Sequence, residues 1–226
     1  MEHRRDRHLH GFATLVCGLA VFCLMAWPSA ARAESGGSKV KLFGTVEFKA
    51  PIKALPKWLG VRNKVSSNPG LMPLASLSAQ QKKTAAAEFR RIKAEAKTQD
   101  PLKTITQVNL LFNKFPYRLD KEVYGVSDYW ATPSEFIRKS GDCEDYSITK
   151  YYALKEMGFP IDDMRIVVLI DRIRGIAHAV LAVYINDTAY ILDNLTNMVY
   201  PHTKFKHYVP QYSVNEKYRW AHVPTK

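Results

Sequence analysis

The sequence predicts an α+β fold in which a helical lobe precedes an antiparallel sheet lobe. Three observations carry that prediction. Apolar residues recur at three- and four-residue spacing through 78–115. The period changes to strand-like apolar runs from 165 onward. Two of those runs are joined by Asn186-Asp187, a two-residue hairpin signal.

The first helix spans 78–98, a stretch rich in Ala, Lys, Gln and Glu that places Ala85, Phe89, Ile92 and Ala96 on one face. Asp100-Pro101 opens a second, with Ile105, Val108, Leu111 and Phe112 on its buried side, ending before Pro116. After an aromatic and charged loop over 117–130, Thr132-Pro133 starts a short helix that runs to about Lys139 and breaks at Gly141. Trp130 has two readings, lining a substrate cleft or packing that helix against the core, and packing is the expected one. Asp142 is placed to cap the next helix, whose apolar face carries Ile148, Tyr151, Tyr152 and Met157 and which stops at Gly158-Phe159-Pro160. Strands are expected over 166–170, 177–185 and 188–192, and the tail over 200–220 adds an edge strand. Residues 34–77, with Gly36-Gly37, Asn68-Pro69-Gly70 and several prolines, read as an irregular arm anchored by Phe43, Phe48 and Trp58.

At the N-terminus Arg4, Arg5 and Arg7 precede an apolar stretch over 12–27 and then Ala31-Arg32-Ala33, the layout of a signal peptide occupying 1–33. Cleavage near Glu34 leaves 193 residues, enough for one domain; the alternative is an uncleaved anchor, and either way the folded part is expected outside the cytoplasm with no further membrane span. The leader carries four Arg against Glu2 and Asp6, so the formal charge falls only from +12 to +10. Outside the cytoplasm such a charge points to an acidic protein or anionic membrane surface rather than nucleic acid. Cys17 and Cys23 leave with the leader, so Cys143 remains without a disulfide partner. In an oxidising compartment a lone thiol is either buried and inert or used for chemistry.

Cys143 falls in the first turn of its helix, where the helix dipole favours thiolate. Of His178, His202, His207 and His222, only His178 lies within a well-defined strand. With Asn186-Asp187 as a two-residue turn, Asp193 sits diagonally beside His178 on one face of the hairpin, able to orient the imidazole. A lone thiol at a helix start, a strand histidine and a carboxylate on the same hairpin together point to a nucleophile, base and orienting acid.

Gly141-Asp142-Cys143-Glu144-Asp145-Tyr146, His178-Ala179-Val180-Leu181 and Leu192-Asp193-Asn194 resemble the bacterial transglutaminase-like cysteine proteinases. Trp130-Ala131-Thr132-Pro133 and the stretch 208–215 are similar as well, so the resemblance covers roughly 112–226. It implies a papain-like, transglutaminase-like domain over 78–226, with a helical lobe at 78–115 and a catalytic core at 116–226. It further implies a periplasmic endoprotease that clips a large bacterial surface adhesin near its N-terminus, releasing cells from a biofilm. Its expected regulator is an inner-membrane receptor of the LapD type that reports cytoplasmic cyclic di-GMP. Two other readings share these residues: transglutaminase or amidase acyl transfer by the same triad, and a non-catalytic binding module.

One conflict is internal to the motif. Asp142, Glu144 and Asp145 crowd Cys143, and negative charge beside a thiol opposes the thiolate. On the residues alone, Asp142 caps the helix while Glu144 and Asp145 favour its dipole. The resemblance implies calcium instead, held by Asp142, Glu144 and Asp145. Calcium takes 6 to 8 oxygens, so a second segment must contribute, and the 117–130 loop with Asp120 and Asp128 is the expected source.

Overall fold

The computed structural model describes residues 40–68 and 80–225, and the expected signal peptide lies outside the described residues. The elements in chain order are β1 (Thr45–Pro51), α1 (Pro56–Ser67), α2 (Gln80–Glu95), α3 (Pro101–Phe112), α4 (Asp120–Val123), α5 (Pro133–Lys139), α6 (Cys143–Glu156), β2 (Met164–Asp171), β3 (Ile176–Ile185), β4 (Thr188–Leu192), β5 (Tyr200–Pro201), β6 (Tyr208–Val214) and β7 (Tyr218–Pro224). The α+β class holds, with the helices ahead of most of the sheet. Asp100 caps α3 by accepting from the Leu102 N–H at 2.7 Å.

Seven strands form one antiparallel sheet in the order β1-β7-β6-β2-β3-β4-β5. Period-two alternation divides its faces. Ile166, Leu181, Val183, Leu192 and Val214 point toward the helices, joining Ile105, Phe112, Ile148 and Tyr151 in the main core. Val167, Leu169, Val180, Ala182 and Ile191 point the other way, into a smaller cluster with Leu42, Phe205 and Tyr208. No helix among the described residues is long and apolar enough to cross a membrane.

Two expectations are corrected. The arm at 34–77 is not irregular throughout, because it supplies β1 and α1. β1 pairs with β7, Thr45 lying opposite Pro224, so its partner is at the far end of the sequence and leaves no local signal. α1 docks through Trp58, which is fully buried and donates its indole N–H to the Asn215 carbonyl at 2.9 Å. Phe48, expected as an anchor, is 61% exposed on the edge strand. Secondly, the tail adds three strands, and β6 and β7 are internal. Pro210 obscured β6. It occurs where the β2–β6 register shifts between Val168 and Leu169, and at such an irregularity a missing N–H is tolerated.

Candidate active site

The position of Cys143 is set by what precedes α6. A capping box fixes the start of α5: Thr132 Oγ1 accepts from the Glu135 N–H at 3.3 Å, and Glu135 Oε2 accepts from the Thr132 N–H at 2.8 Å. The chain then turns at Ser140 (φ 63°) and passes through Gly141. Any Cβ at Gly141 would run into a carboxylate oxygen of Asp145 and lie 2.8 Å from that residue's Cβ and Cγ. Glycine is therefore required by close approach, not by its dihedral angles. The Gly141 carbonyl accepts from the Arg118 N–H at 2.9 Å, and a single bridge pairs Gly141 with Tyr117, which ties the 117–130 loop to the helix that bears Cys143.

On the hairpin, Ile185 faces Thr188 and Leu181 faces Leu192, the register that a two-residue turn predicts, with Asn186 at φ 53°. Beyond the ladder, His178 Nε2 and Asp193 Oδ1 are 3.0 Å apart, both side chains buried. The same Oδ1 accepts from the Leu195 N–H at 2.9 Å, and Oδ2 accepts from the Tyr208 hydroxyl at 2.6 Å. Burial pushes the Asp193 carboxyl up, but the His178 hydrogen bond and charge, Tyr208 and Leu195 outweigh it and hold it below the ordinary value. That favours the anion, and Asp193 engages the Nε2 atom of His178 rather than Nδ1. The role of Tyr208 was not read from the sequence, since a tyrosine in an aromatic tail carries no mark of a buried carboxylate partner.

Cys143 is half-buried at the first position of α6. Its thiol donates to Glu144 Oε2 at 3.2 Å, and the backbone N–H of Ala179, the residue after His178, acts on it in the sense that favours the thiolate. Burial pushes the thiol well above its usual value, and the Glu144 charge and hydrogen bond and the Asp142 charge add to this. Two other histidines are engaged elsewhere. His222 bonds Thr45 Oγ1 at 2.9 Å and Ser213 Oγ at 2.8 Å, which links β1, β6 and β7, while His202 Nδ1 accepts from the Phe43 N–H at 3.0 Å.

Asp142 occupies the N-cap position of α6, yet its side chain makes no capping bond. Instead it joins Asp120 and Asp145 in a cluster whose oxygens lie within 4.8 Å of one another. Asp120 is anchored by one oxygen, which accepts from the Tyr129 N–H at 2.5 Å, and Asp145 by one, which accepts from the Ala131 N–H at 2.7 Å. The remaining oxygens, Asp120 Oδ1 and Asp145 Oδ2, are buried with no protein hydrogen bond, as is Asp142 Oδ1. Burial and mutual repulsion raise all three carboxyls, Asp145 to about 8. Three orphaned oxygens converging on one point fit a hard cation far better than they fit each other. Glu144 is divided between the thiol and clusters with Asp142 and with Asp120 and Asp128, while Asp128 also pairs with Lys57. The 117–130 loop therefore does contribute, chiefly through Asp120.

The model of one protein family, described as bacterial transglutaminase-like cysteine proteinase, matches residues 71–226. The chain belongs to that family. Among solved structures, this proteinase is similar to Legionella pneumophila LapG at 27% identity, over 74% of this chain and 86% of that one, with a TM-score of 0.56. The calcium-bound form of LapG matches at 28% identity over 72% and 86% (TM-score 0.56). Its EGTA-treated form matches at 27% over 78% and 89% (TM-score 0.57). No curated protein matches the proteinase.

Proposed function

We propose that this proteinase is a periplasmic, calcium-dependent cysteine endopeptidase with Cys143 as nucleophile, His178 as base and then acid, and Asp193 as orienting group. The observation that carries the reading is the conjunction at the start of α6, where Cys143, the one cysteine among the described residues, has three orphaned carboxylates beside it and feels the backbone N–H of Ala179, the neighbour of a His178 already engaged by Asp193. The solved relative's calcium-bound and EGTA-treated forms support calcium as the cation. Asp120, Asp142 and Asp145, with Glu144 beside them, would hold it, and backbone carbonyls and water would complete its shell. Bound there, calcium supplies positive charge that cancels the carboxylates and favours the thiolate.

His178 takes the thiol proton on Nδ1 while Asp193, fixed by Tyr208 and Leu195, keeps the ring oriented through Nε2. The thiolate attacks the scissile carbonyl carbon. As the first residue of α6, Cys143 has a backbone N–H with no acceptor four residues back in the helix, and that N–H is suited to the developing oxyanion. His178 returns the proton to the departing amine, and the thioester is then hydrolysed by water that His178 deprotonates.

The proposed substrate is the N-terminal region of a large surface adhesin, whose release disperses a biofilm under the control of a LapD-like receptor responding to cyclic di-GMP. The basic surface is compatible with acidic partners. Incubation with secreted adhesin N-terminal fragments, read by intact mass, is expected to yield two products whose masses sum to the substrate plus water. Amine-modified or cross-linked product would instead establish acyl transfer, and unchanged mass with co-elution would establish a binding module.

A further inference from the structure

Lys150 is fully buried (0% exposed) in the middle of α6, seven residues and therefore about 10 Å along the helix from Cys143 on the same face. Among the described residues it has no carboxylate within ion-pair distance. Its ammonium donates instead to two amide oxygens of α3, Asn109 Oδ1 at 2.8 Å and Asn113 Oδ1 at 2.7 Å, with the Tyr146 ring 5.6 Å away. Burial lowers the Lys150 amine to about 7 against the Asp193 charge, yet with or without its third proton it offers two N–H donors, so it fixes which end of each amide faces it. Both amide nitrogens must then point outward, toward the segment that follows β4. Asn109 Nδ2 donates to the Thr196 carbonyl at 2.9 Å. Asn113 Nδ2 donates to the carbonyls of Asp193 and Thr196, each at 2.9 Å.

We infer that Lys150 is a positioning residue for the Asp193–His178 pair, acting through the oriented amides of Asn109 and Asn113. This rests on the cysteine-protease reading above. The backbone of Asp193 is held from the helical side by this chain of donors, while its side chain is held from the other side by His178, Tyr208 and Leu195. A buried cation without a carboxylate partner is a costly way to satisfy two amides, and an apolar residue there would pack the helices equally well. What the apolar residue would not do is dictate the donor direction.

Asn113→Asp separates positioning from packing. The new carboxylate keeps an acceptor toward Lys150, adding a buried ion pair, but removes the donor that holds the Asp193 and Thr196 carbonyls. In the calcium-loaded full-length protein, kcat is expected to fall about 10-fold or more with KM within about twofold, and without a lower unfolding temperature. The rate of Cys143 carbamidomethylation by iodoacetamide should fall with kcat toward that of His178→Ala. Lys150→Met should show the same kcat and alkylation losses, and if it does not fold, Asn113→Asp alone decides. Wild-type kcat and alkylation in Asn113→Asp, or losses that merely track a lowered unfolding temperature, would overturn the inference. If His178→Ala leaves wild-type alkylation unchanged, the triad reading fails instead.

Discussion

Cys143→Ala is expected to reduce kcat by about 10,000-fold or more while leaving the unfolding temperature essentially unchanged. The thiol is half-buried at a helix start, and its hydrogen bond to Glu144 joins two groups that otherwise repel as anions, so removing the sulfur costs the fold little. His178→Ala should be comparably severe, since two of the other described histidines are already engaged, His222 by Thr45 and Ser213 and His202 by Phe43. Asp193→Asn should cost less than His178→Ala. The amide oxygen can still accept from His178 and the Leu195 N–H while its NH2 donates to the Tyr208 hydroxyl, so orientation is partly kept, whereas the proton acceptor has no substitute. Steady-state cleavage of an adhesin fragment, with thermal unfolding in parallel, measures all three. Proteolysis above trace in Cys143→Ala would remove Cys143 as nucleophile.

Withdrawal of calcium is expected to stop cleavage and to destabilise the protein, more so at high pH than at low. The sign follows from the raised carboxyls. Asp120, Asp142 and Asp145 bind protons more tightly in the folded, metal-free protein than in the unfolded chain, so their contribution to stability is present below the ordinary carboxylate range near pH 4 and is lost as pH rises, for Asp145 through about pH 8. Metal-free protein should therefore become less stable between about pH 5 and 8. Calcium competes with those protons and gains as they leave. At 100 times its dissociation constant a ligand adds about 2.7 kcal/mol, which for a chain of this size raises the unfolding temperature by roughly 5–10 °C. Thermal unfolding with excess EGTA and with calcium, at pH 5 and pH 8, should show the larger calcium shift at pH 8. Asp120→Asn and Asp145→Asn should shrink that shift, and magnesium should replace calcium poorly because it demands a tighter octahedral shell. Equal shifts at both pH values, or full activity in EGTA, would return the carboxylates to a purely protonated cluster.

Much of this site was legible in the sequence because its determinants are local. The Thr132-Pro133 start, the Gly141 break and the Asn186-Asp187 turn each act within a few residues, so the helix bearing Cys143 and the hairpin bearing His178 and Asp193 could be placed from spacing alone. What escaped depends on distant partners. β1 is a strand only because β7 is there to receive it, Tyr208 matters only because Asp193 lies beneath it, and Asp142 looked like a cap until Asp120 appeared beside it. Lys150 escaped for a related reason: a lysine in an otherwise apolar helix face looks like a charge turned to solvent unless Asn109 and Asn113 are known to cover it.

The two-residue turn at Asn186-Asp187 makes parity a property of the active site. With Ile185 opposite Thr188, odd and even positions on β4 are locked to those on β3, and Asp193 falls on the His178 side of the sheet. One residue added to or removed from the turn would exchange the faces of β4, turning Asp193 toward the helices and Leu192 away from them. A two-residue change would keep the faces and slide only the pairing. The hairpin can therefore vary in composition, and even in length by even steps, but not by a single residue.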